Sequence, residues 1–314
     1  TVGWKLLDIT DDNATSGTNG NNWIQTAFND DEDQSRWFYF KSNGKKQTAS
    51  SGDTELKQKT INGKKYEFDE NGAMTAEWSL DVKSASNSTT NGKNDDLLAS
   101  HSEAGGSASV SVPAKYSQQW RYFQDVENGA RVSKGWFKVV SAEYLNYDKY
   151  NDDEDAWYYA DGSGNLYAGQ FKTIKGKKYA FRNDGRMIDG LKFIQMDSAN
   201  NITGVVADDH ETNPFDTEDD FNKNSIYWSD LGYRCYYFGG GDDGAMRTNK
   251  TSIDIDGDRF NFYFEKSGGH KGAGLTGEKD DKYYQSGKLI KAGSDDKYQV
   301  VKVNTYGKNS DLDE

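Results

Sequence analysis

The sequence predicts an all-β fold, a β-solenoid of tandem two-stranded β-hairpin repeats with two inserted segments. The first observation is self-similarity: residues 60–74 (TINGKKYEFDENGAM) recur as residues 173–187 (TIKGKKYAFRNDGRM), with nine of fifteen positions identical. The second is that aromatic runs are followed by glycine-containing turns, and the third is that no segment shows sustained helical periodicity. A single hairpin is marginal in water, so each must lay its aromatic face on the next.

Eight candidate hairpins follow one another, each with an aromatic strand, a turn glycine and a short return strand. Their turn glycines are Gly44, Gly72, Gly129, Gly164, Gly185, Gly244, Gly268 and Gly287. The hairpins group into a larger repeating unit, because the acidic run NDDED precedes Trp37 at residues 29–33 and precedes Trp157 at residues 151–155. Asn71-Gly72 and Asp184-Gly185 supply turns that tolerate positive φ in the two copies of the repeated segment.

We interpret residues 1–314 as one repeat domain, with insertions at residues 79–117 and 192–225. The opening Gly3-Trp4 looks like the end of a preceding repeat, so we expect the chain to be a fragment of a longer secreted protein with a further domain. Residues 108–112 alternate with period two and predict an added strand. The remaining inserted residues are interpreted as loop.

Composition favours burial of flat rings in an elongated fold. Only 34% of residues are hydrophobic, yet 14% are aromatic, and the mean hydropathy is -0.98. The net charge of -13 disfavours nucleic acid and anionic membranes and favours neutral or cationic ligands. No apolar run is long enough for membrane insertion. The single cysteine, Cys235, excludes a disulfide framework and is expected to be an inert packed thiol.

The pattern Gly135-Trp136, acidic spacer, Trp157-Tyr158-Tyr159 and the segment 60–78 resemble the cell-wall-binding repeats of Gram-positive surface proteins. That family includes choline-binding modules, the glucan-binding regions of glucansucrases and the repeats of large clostridial toxins. The resemblance covers nearly the whole chain except the two insertions. It implies a solenoid of hairpins with ligand sites in grooves between repeats.

In the choline-binding branch, the Trp after Gly and the first and third aromatics of neighbouring strands cage a quaternary ammonium. Three ring faces around such a group supply roughly 0.5 to 2 kcal/mol each. Carried over by position, the resemblance implies three ligand-binding groups. They are Trp136, Trp157 and Tyr159; Trp78, Trp120 and Tyr122; and Trp4, Trp37 and Tyr39. Leu191 departs from the pattern where a second Trp is expected, which favours a sugar-stacking groove over a choline cage.

No metal, cofactor or catalytic site is predicted. The two acidic runs could hold calcium, but they lack the spacing of an EF-hand loop, and solvated acidic loops are the favoured interpretation. His101, His210 and His270 lack the spacing of a metal site. No two carboxylates stand out as a glycosidase pair.

The leading hypothesis is a non-catalytic, extracellular, cell wall-associated module that anchors a secreted protein to cell-wall polysaccharide or choline-bearing teichoic acid. An alternative is an adhesin or toxin-type module that recognises host glycans or a host protein. A third possibility is a spacer whose insertions form the interaction surface.

Overall fold

The computed structural model describes residues 1–9, 34–49, 57–69, 71–80, 112–142, 145–208, 212–300, 302–303 and 312–313. Internal contacts divide the chain into two compact units. The first comprises Thr1–Ala168 and Arg182–Arg186, and the second comprises Gly169–Phe181 and Met187–Glu314. In both units, small antiparallel sheets dominate the described residues.

The first unit contains four two-stranded antiparallel hairpins, β1–β2, β3–β4, β5–β6 and β7–β8. Its strands are β1 (Gly3–Ile9), β2 (Gln34–Phe40), β3 (Lys57–Ile61), β4 (Lys64–Phe68), β5 (Glu77–Leu80), β6 (Trp120–Phe123), β7 (Gly135–Val140) and β8 (Asp155–Ala160). Two short helices, α1 (Ala114–Ser117) and α2 (Tyr147–Asn151), precede β6 and β8.

The second unit has one hairpin, one three-stranded sheet, one five-stranded sheet and a short terminal pair. The elements are β9 (Phe171–Ile174), β10 (Lys177–Ala180), β11 (Leu191–Met196), β12 (Ile202–Val205), α3 (Glu218–Asp230), β13 (Arg234–Tyr237), β14 (Asn249–Ile255), β15 (Asp258–Phe264), β16 (Gly277–Lys279), β17 (Lys282–Gln285), β18 (Lys288–Leu289), β19 (Lys302–Val303) and β20 (Leu312–Asp313). The sheet orders are β10-β9, β12-β11-β13, β14-β15-β18-β17-β16 and β19-β20.

Each hairpin is built differently from the sequence prediction. The aromatic strand pairs with the strand before it in the chain, as β2 does with β1. In six of the described hairpins the segment after the turn contributes a single bridging residue. Phe40 bridges Lys46 and Phe68 bridges Met74 in this way. The return segment is short because its residues also bond to the neighbouring hairpin, as shown below.

A tight turn that the sequence analysis overlooked closes the hairpin in both copies of the repeated segment. Asn62-Gly63 has φ values of 49° and 79°, and Lys175-Gly176 has 49° and 81°. Successive positive φ values are typical of the type I′ turn, whose twist matches that of paired strands. Asp256-Gly257 repeats the geometry between β14 and β15, at 51° and 81°.

The residue two positions after each turn glycine contacts the turn glycine of the next hairpin. A Cβ added to Gly129 would approach the Met74 thioether to well inside 3.0 Å, and Gly129 has a φ of +57°. We call the residue two positions after a turn glycine the return residue. The successive contacts of return residue and glycine within the two units are Lys46 with Gly72, Met74 with Gly129, Arg131 with Gly164, Leu166 with Gly185, Met187 with Gly244, Met246 with Gly272 and Gly274 with Gly287. Gly272, and not the predicted Gly268, is therefore the turn glycine of the seventh hairpin.

The same return residues bond backward to the preceding hairpin. The Met74 amide donates to the Trp37 carbonyl at 2.9 Å, three residues before the bridging residue Phe40. The equivalent bonds are 2.8 Å each, from Arg131 to Lys65, from Met246 to Lys178 and from Gly274 to Cys235. Each of these four return residues thus ties its own hairpin to both neighbours.

Bridging residues form the centre of the core. Among the described residues, five of the six that bridge a return residue are fully buried; they are Phe68, Phe123, Ala160, Phe181 and Phe264. Burying one Phe side chain contributes about 1.5 to 3 kcal/mol, so a short strand with one such ring becomes stable only when a neighbour covers it.

Both predicted insertions lie inside a hairpin, between its two main strands. Residues 79–117 overlap the end of β5 and include α1, and the predicted strand at 108–112 lies outside the described residues except for the buried Val112. Residues 192–225 contain β12, most of β11 and the first part of α3, so the loop prediction was wrong there.

The helix α3 has clear local causes. Thr217 is its N-cap and accepts a hydrogen bond from the Asp220 amide at 3.1 Å. Glu218, Asp219 and Asp220 occupy the first turn, where carboxylates complement the helix dipole. Phe221 anchors the helix in the core. Only Phe221 and Ser225 are buried, so the apolar stripe is too narrow to predict a helix from periodicity.

Replacing turn glycines with alanine should separate backbone strain from the contact with the return residue. An added Cβ would meet no atom within 4 Å at Gly162 or at Gly44, and of these two only Gly44 has a positive φ. Gly129 has a positive φ and also contacts Met74. We expect Gly162→Ala to be nearly neutral, Gly44→Ala to cost about 1 to 2 kcal/mol, and Gly129→Ala to cost a further 1 to 3 kcal/mol. Urea unfolding measures the differences.

A double-mutant cycle between Gly129→Ala and Met74→Ala provides the control. Shortening Met74 removes the overlap, so the two changes should be strongly non-additive. Equal losses for Gly44→Ala and Gly129→Ala would contradict the role of the contact.

Asp69 should make the unfolding free energy depend on pH. Its side chain is buried at the turn after β4 and accepts the Ala73 amide at 2.9 Å, and desolvation raises its pKa to about 6. The folded state therefore holds the proton more tightly than the unfolded state. We expect its contribution to decrease by on the order of 2 kcal/mol as pH rises from about 4 to about 6. Asp69→Asn should lack this decrease, and identical pH profiles for both proteins would contradict the assignment.

Candidate functional site

The strand register places each predicted aromatic group on one face of one hairpin. Trp4 lies opposite Tyr39, and Leu6 lies opposite Trp37. Cross-strand partners and residues two apart share a face of an antiparallel sheet. This gives three four-residue aromatic faces. The first is Trp4, Leu6, Trp37 and Tyr39; the second is Trp78, Leu80, Trp120 and Tyr122; and the third is Trp136, Lys138, Trp157 and Tyr159.

The second and third faces have almost the same ring geometry. Trp78 lies 6.2 Å from Trp120 at 84° and 5.1 Å from Tyr122 at 76°. The corresponding separations from Trp136 are 6.3 Å to Trp157 at 90° and 5.2 Å to Tyr159 at 79°. The local sequence thus fixes the shape of a face, and the surroundings decide its accessibility.

The second face is part of the core. Trp78 contacts Tyr158 at 5.0 Å, and Tyr122 stacks on Phe137 at 5.0 Å, so the opposite side of the β7–β8 hairpin covers it. Trp120 is only 3% exposed, and the Trp78 indole donates to the Val140 carbonyl at 2.8 Å. The second face is therefore the packing interface between the β5–β6 and β7–β8 hairpins.

The first face contacts the next hairpin through Trp4. Its ring lies 4.9 Å from Tyr66 and 5.8 Å from Phe68. Trp37 is partly exposed, and its indole donates to the Glu127 carboxylate at 3.2 Å. Much of the ring surface of this face therefore already has protein partners.

The third face keeps both of its tryptophans partly exposed. Tyr159 is 8% exposed and stacks on Tyr167 at 4.9 Å, which fixes one wall of the face. Trp136 and Trp157 are perpendicular and only partly buried. This face is a rigid aromatic corner in which both tryptophans are partly exposed.

Lys138 distinguishes the third face from the other two. It occupies the position of Leu6 and Leu80, and its ammonium lies over the Trp157 ring, 6.0 Å from the centroid. A cation at this distance interacts favourably with an indole. Sequence reasoning missed Lys138. Its place on this face follows from its spacing of two residues from Trp136, but only once the strand pairing is known.

Carboxylates surround the same hairpin. The described acidic run ends α2 and enters β8, with Asp152, Asp153 and Asp155 exposed and Glu154 paired to Lys149 at 2.7 Å. The other acidic run, residues 29–33, lies outside the described residues. The local potential therefore favours cationic or neutral ligands near the third face.

Metal-ligating and thiol groups play no visible part in these faces. Across the part of the chain that the structure describes, no three His, Cys, Asp or Glu side chains are grouped to hold a metal ion. Cys235 is buried, and desolvation raises the pKa of its thiol, so it stays protonated. His270 lies in an exposed turn, whereas His101 and His210 fall outside the described residues.

No helix among the described residues is long and apolar enough to cross a membrane.

Comparisons with known proteins give matches only among solved structures. No family model matches the sequence, and no curated protein matches it. Choline-binding protein F from Streptococcus pneumoniae, crystallised in the presence of a peptidoglycan analogue, is 19% identical, with 92% of this chain and 80% of that chain covered and a TM-score of 0.31. CbpJ from the same species is 17% identical, with 92% and 80% covered and a TM-score of 0.33.

A third match is the choline-binding domain of Spr1274 from Streptococcus pneumoniae. It is 20% identical, with 44% of this chain and 99% of that domain covered and a TM-score of 0.22. The chain resembles choline-binding proteins, in agreement with the resemblance predicted from its sequence. Every TM-score is below 0.5, so the proposals that follow rest on this chain's own residues.

Proposed function

We propose that the chain is a non-catalytic, extracellular binding module that anchors a secreted bacterial protein to cell-wall polysaccharide or choline-bearing teichoic acid. The observation that carries the proposal is the third aromatic face. Trp136 and Trp157 stand perpendicular and partly exposed on a hairpin whose other side is packed in the core. Rigid ring surfaces of this kind bind ligands with little loss of conformational entropy.

The packing of consecutive hairpins supports a solenoid within each unit. Return residues contact the next turn glycine, and four of them also bond to the preceding hairpin, so the same connection recurs along each unit. Repeated units of this kind offer similar faces at successive positions. Sites that are weak individually then hold a polymer by avidity.

Two buried groups have pKa values that are raised by packing. Burial raises the pKa of Asp69 to about 6 and that of Tyr236 to about 12. Both groups lie inside hairpin cores, whereas catalytic groups with shifted pKa values are expected in an accessible cleft. Their titration therefore belongs to folding energetics.

The proposal is tested by binding of the purified chain to isolated Gram-positive cell walls. Trp157→Ala should weaken wall binding roughly tenfold, because it removes an aromatic anchor from the third face. Tyr150→Ala is the matched control, since Tyr150 is exposed in the same unit but outside the three faces. Pull-down with quantitation of bound protein gives the comparison.

Equal wall binding by wild type and Trp157→Ala would remove the third face from the proposal. Binding to epithelial surfaces without binding to walls would favour the adhesin alternative. A hydrolase assay on wall polymers that detects turnover would contradict the non-catalytic assignment.

Lys138→Leu should raise the affinity for choline by about threefold to tenfold. The change removes a like charge next to the Trp157 ring and recreates the leucine of the other two faces. Lys5→Leu alters the net charge equally, but Lys5 lies opposite Phe38 on the other side of its hairpin. Calorimetric titration with choline measures the effect, and an unchanged affinity in Lys138→Leu would show that its ammonium does not compete at this face.

A further inference from the structure

An aromatic cluster outside the hairpin repeats lies at the end of α3. Trp228 is its centre, 5.2 Å from Tyr227 at 81° and 5.1 Å from Tyr233 at 75°. Tyr227 is 58% exposed and the adjacent Leu231 is 47% exposed, while Trp228 and Tyr233 are partly exposed. We call Tyr227, Trp228, Leu231 and Tyr233 the helix platform.

The polypeptide around Gly232 fixes the position of Tyr233. Gly232 has a φ of +88°, and the Tyr233 amide donates to the Trp228 carbonyl at 3.0 Å, as in a Schellman cap. The Gln195 side chain donates to the Leu231 carbonyl at 2.9 Å. The chain therefore turns sharply after the helix and returns Tyr233 to the side of Trp228.

Gly204 in β12 makes space for the Tyr233 ring. Its φ lies outside the left-handed region, so the glycine is not required by backbone conformation. A Cβ at this position would overlap the Tyr233 hydroxyl and lie 3.1 Å from the ring carbon that bears it. Because residue 204 has no side chain, the Tyr233 ring can pack directly against the β12 backbone at this position.

The helix itself is fastened to the five-stranded sheet. Lys288, which is buried, pairs with Glu218 at 2.6 Å, and the Ser229 and Ser286 hydroxyls are 2.9 Å apart. Phe221 is fully buried beneath the helix and lies 5.4 Å from Phe262. The platform is thus preorganised, and its exposed rings are held in place by packing on the opposite side of α3.

The surroundings of the platform fit an uncharged, hydroxylated ring. Lys223 and Asp230, four residues before and three residues after Tyr227, share its side of the helix and are both exposed, so their charges offset. The exposed Thr203 in β12 donates its hydroxyl to the Gln195 side chain at 3.3 Å close to the same turn. Apolar rings bordered by a few polar groups are typical of a small-molecule site. Four side chains are too few for the roughly 800 Å² that each partner buries in a specific protein interface.

We propose that the helix platform is a second ligand site that binds a neutral hexopyranose unit of a glycan by stacking on the exposed Tyr227 ring beside the perpendicular Trp228 ring. This site lies in the chain between β11 and β13 and uses no residue of the three aromatic faces. It is independent of the proposed wall-anchoring function, and either can fail without the other.

The test uses the full chain labelled with 5-fluorotryptophan, in which Trp228→Phe assigns the Trp228 fluorine signal among the eight tryptophans. The probes are dextran, chitotetraose and choline chloride, each titrated separately. We expect one of the two neutral glycans to shift the Trp228 signal. Tyr227→Ala should weaken that binding roughly tenfold, whereas Tyr298→Ala, an exposed tyrosine in the same unit, should leave it unchanged.

Gly204→Ala gives a second variant, in which none of the four platform residues is itself substituted. Its Cβ displaces Tyr233, so glycan affinity should fall while the fluorine signals of the other tryptophans stay unchanged. A Trp228 signal that responds to neither glycan, that shifts with choline alone, or whose response survives Tyr227→Ala would overturn the proposal. Signals from Trp136 and Trp157 report the third aromatic face separately in the same titrations.

Discussion

The contact of each return residue with a turn glycine is the constraint on which the hairpins depend. A two-stranded hairpin with one buried aromatic residue is unstable alone, and it gains stability only when its neighbour is placed at the correct height and rotation. Met74 illustrates how this is done. It pairs with Phe68 in its own hairpin, donates its amide to Trp37 of the hairpin before, and rests its thioether on Gly129 of the hairpin after. One residue therefore sets the register of three hairpins.

Accessibility of the aromatic faces follows from this packing. Trp120 and Trp157 occupy equivalent positions in their hairpins and make equivalent ring contacts, yet Trp120 is buried because the β7–β8 hairpin covers its face. A face becomes a candidate site where such cover leaves ring surface exposed. The position of Lys138 then adjusts the charge preference of the third face. In α3, by contrast, the rings are exposed because the helix packs through its opposite side.

Sequence reasoning predicted what depends on local pattern. The repeated segment and most of the turn glycines follow from residue spacing, and the small antiparallel sheets are as expected, whereas the aromatic groups were carried over from the family resemblance. Strand pairing was harder, because β5 and β6 are separated by 39 residues of intervening chain, and no local pattern says that an aromatic strand pairs backward. The α3 helix was missed because only Phe221 and Ser225 are buried in it. Thr217, a residue type preferred at helix N-caps, could have indicated where the helix begins. Burial of Trp120 depends on a neighbouring hairpin and was beyond local reasoning.

Native-state hydrogen exchange at the return-residue amides tests the central claim most directly. The amides of Met74, Arg131, Met246 and Gly274 donate to the preceding hairpin, so they should exchange as slowly as amides paired in the centre of β7–β8, with protection lost only on global unfolding. Turn amides without such partners serve as the fast reference. Exchange of the four amides at the rate of these turn amides would show that consecutive hairpins are not fastened through their return residues, and would contradict the account.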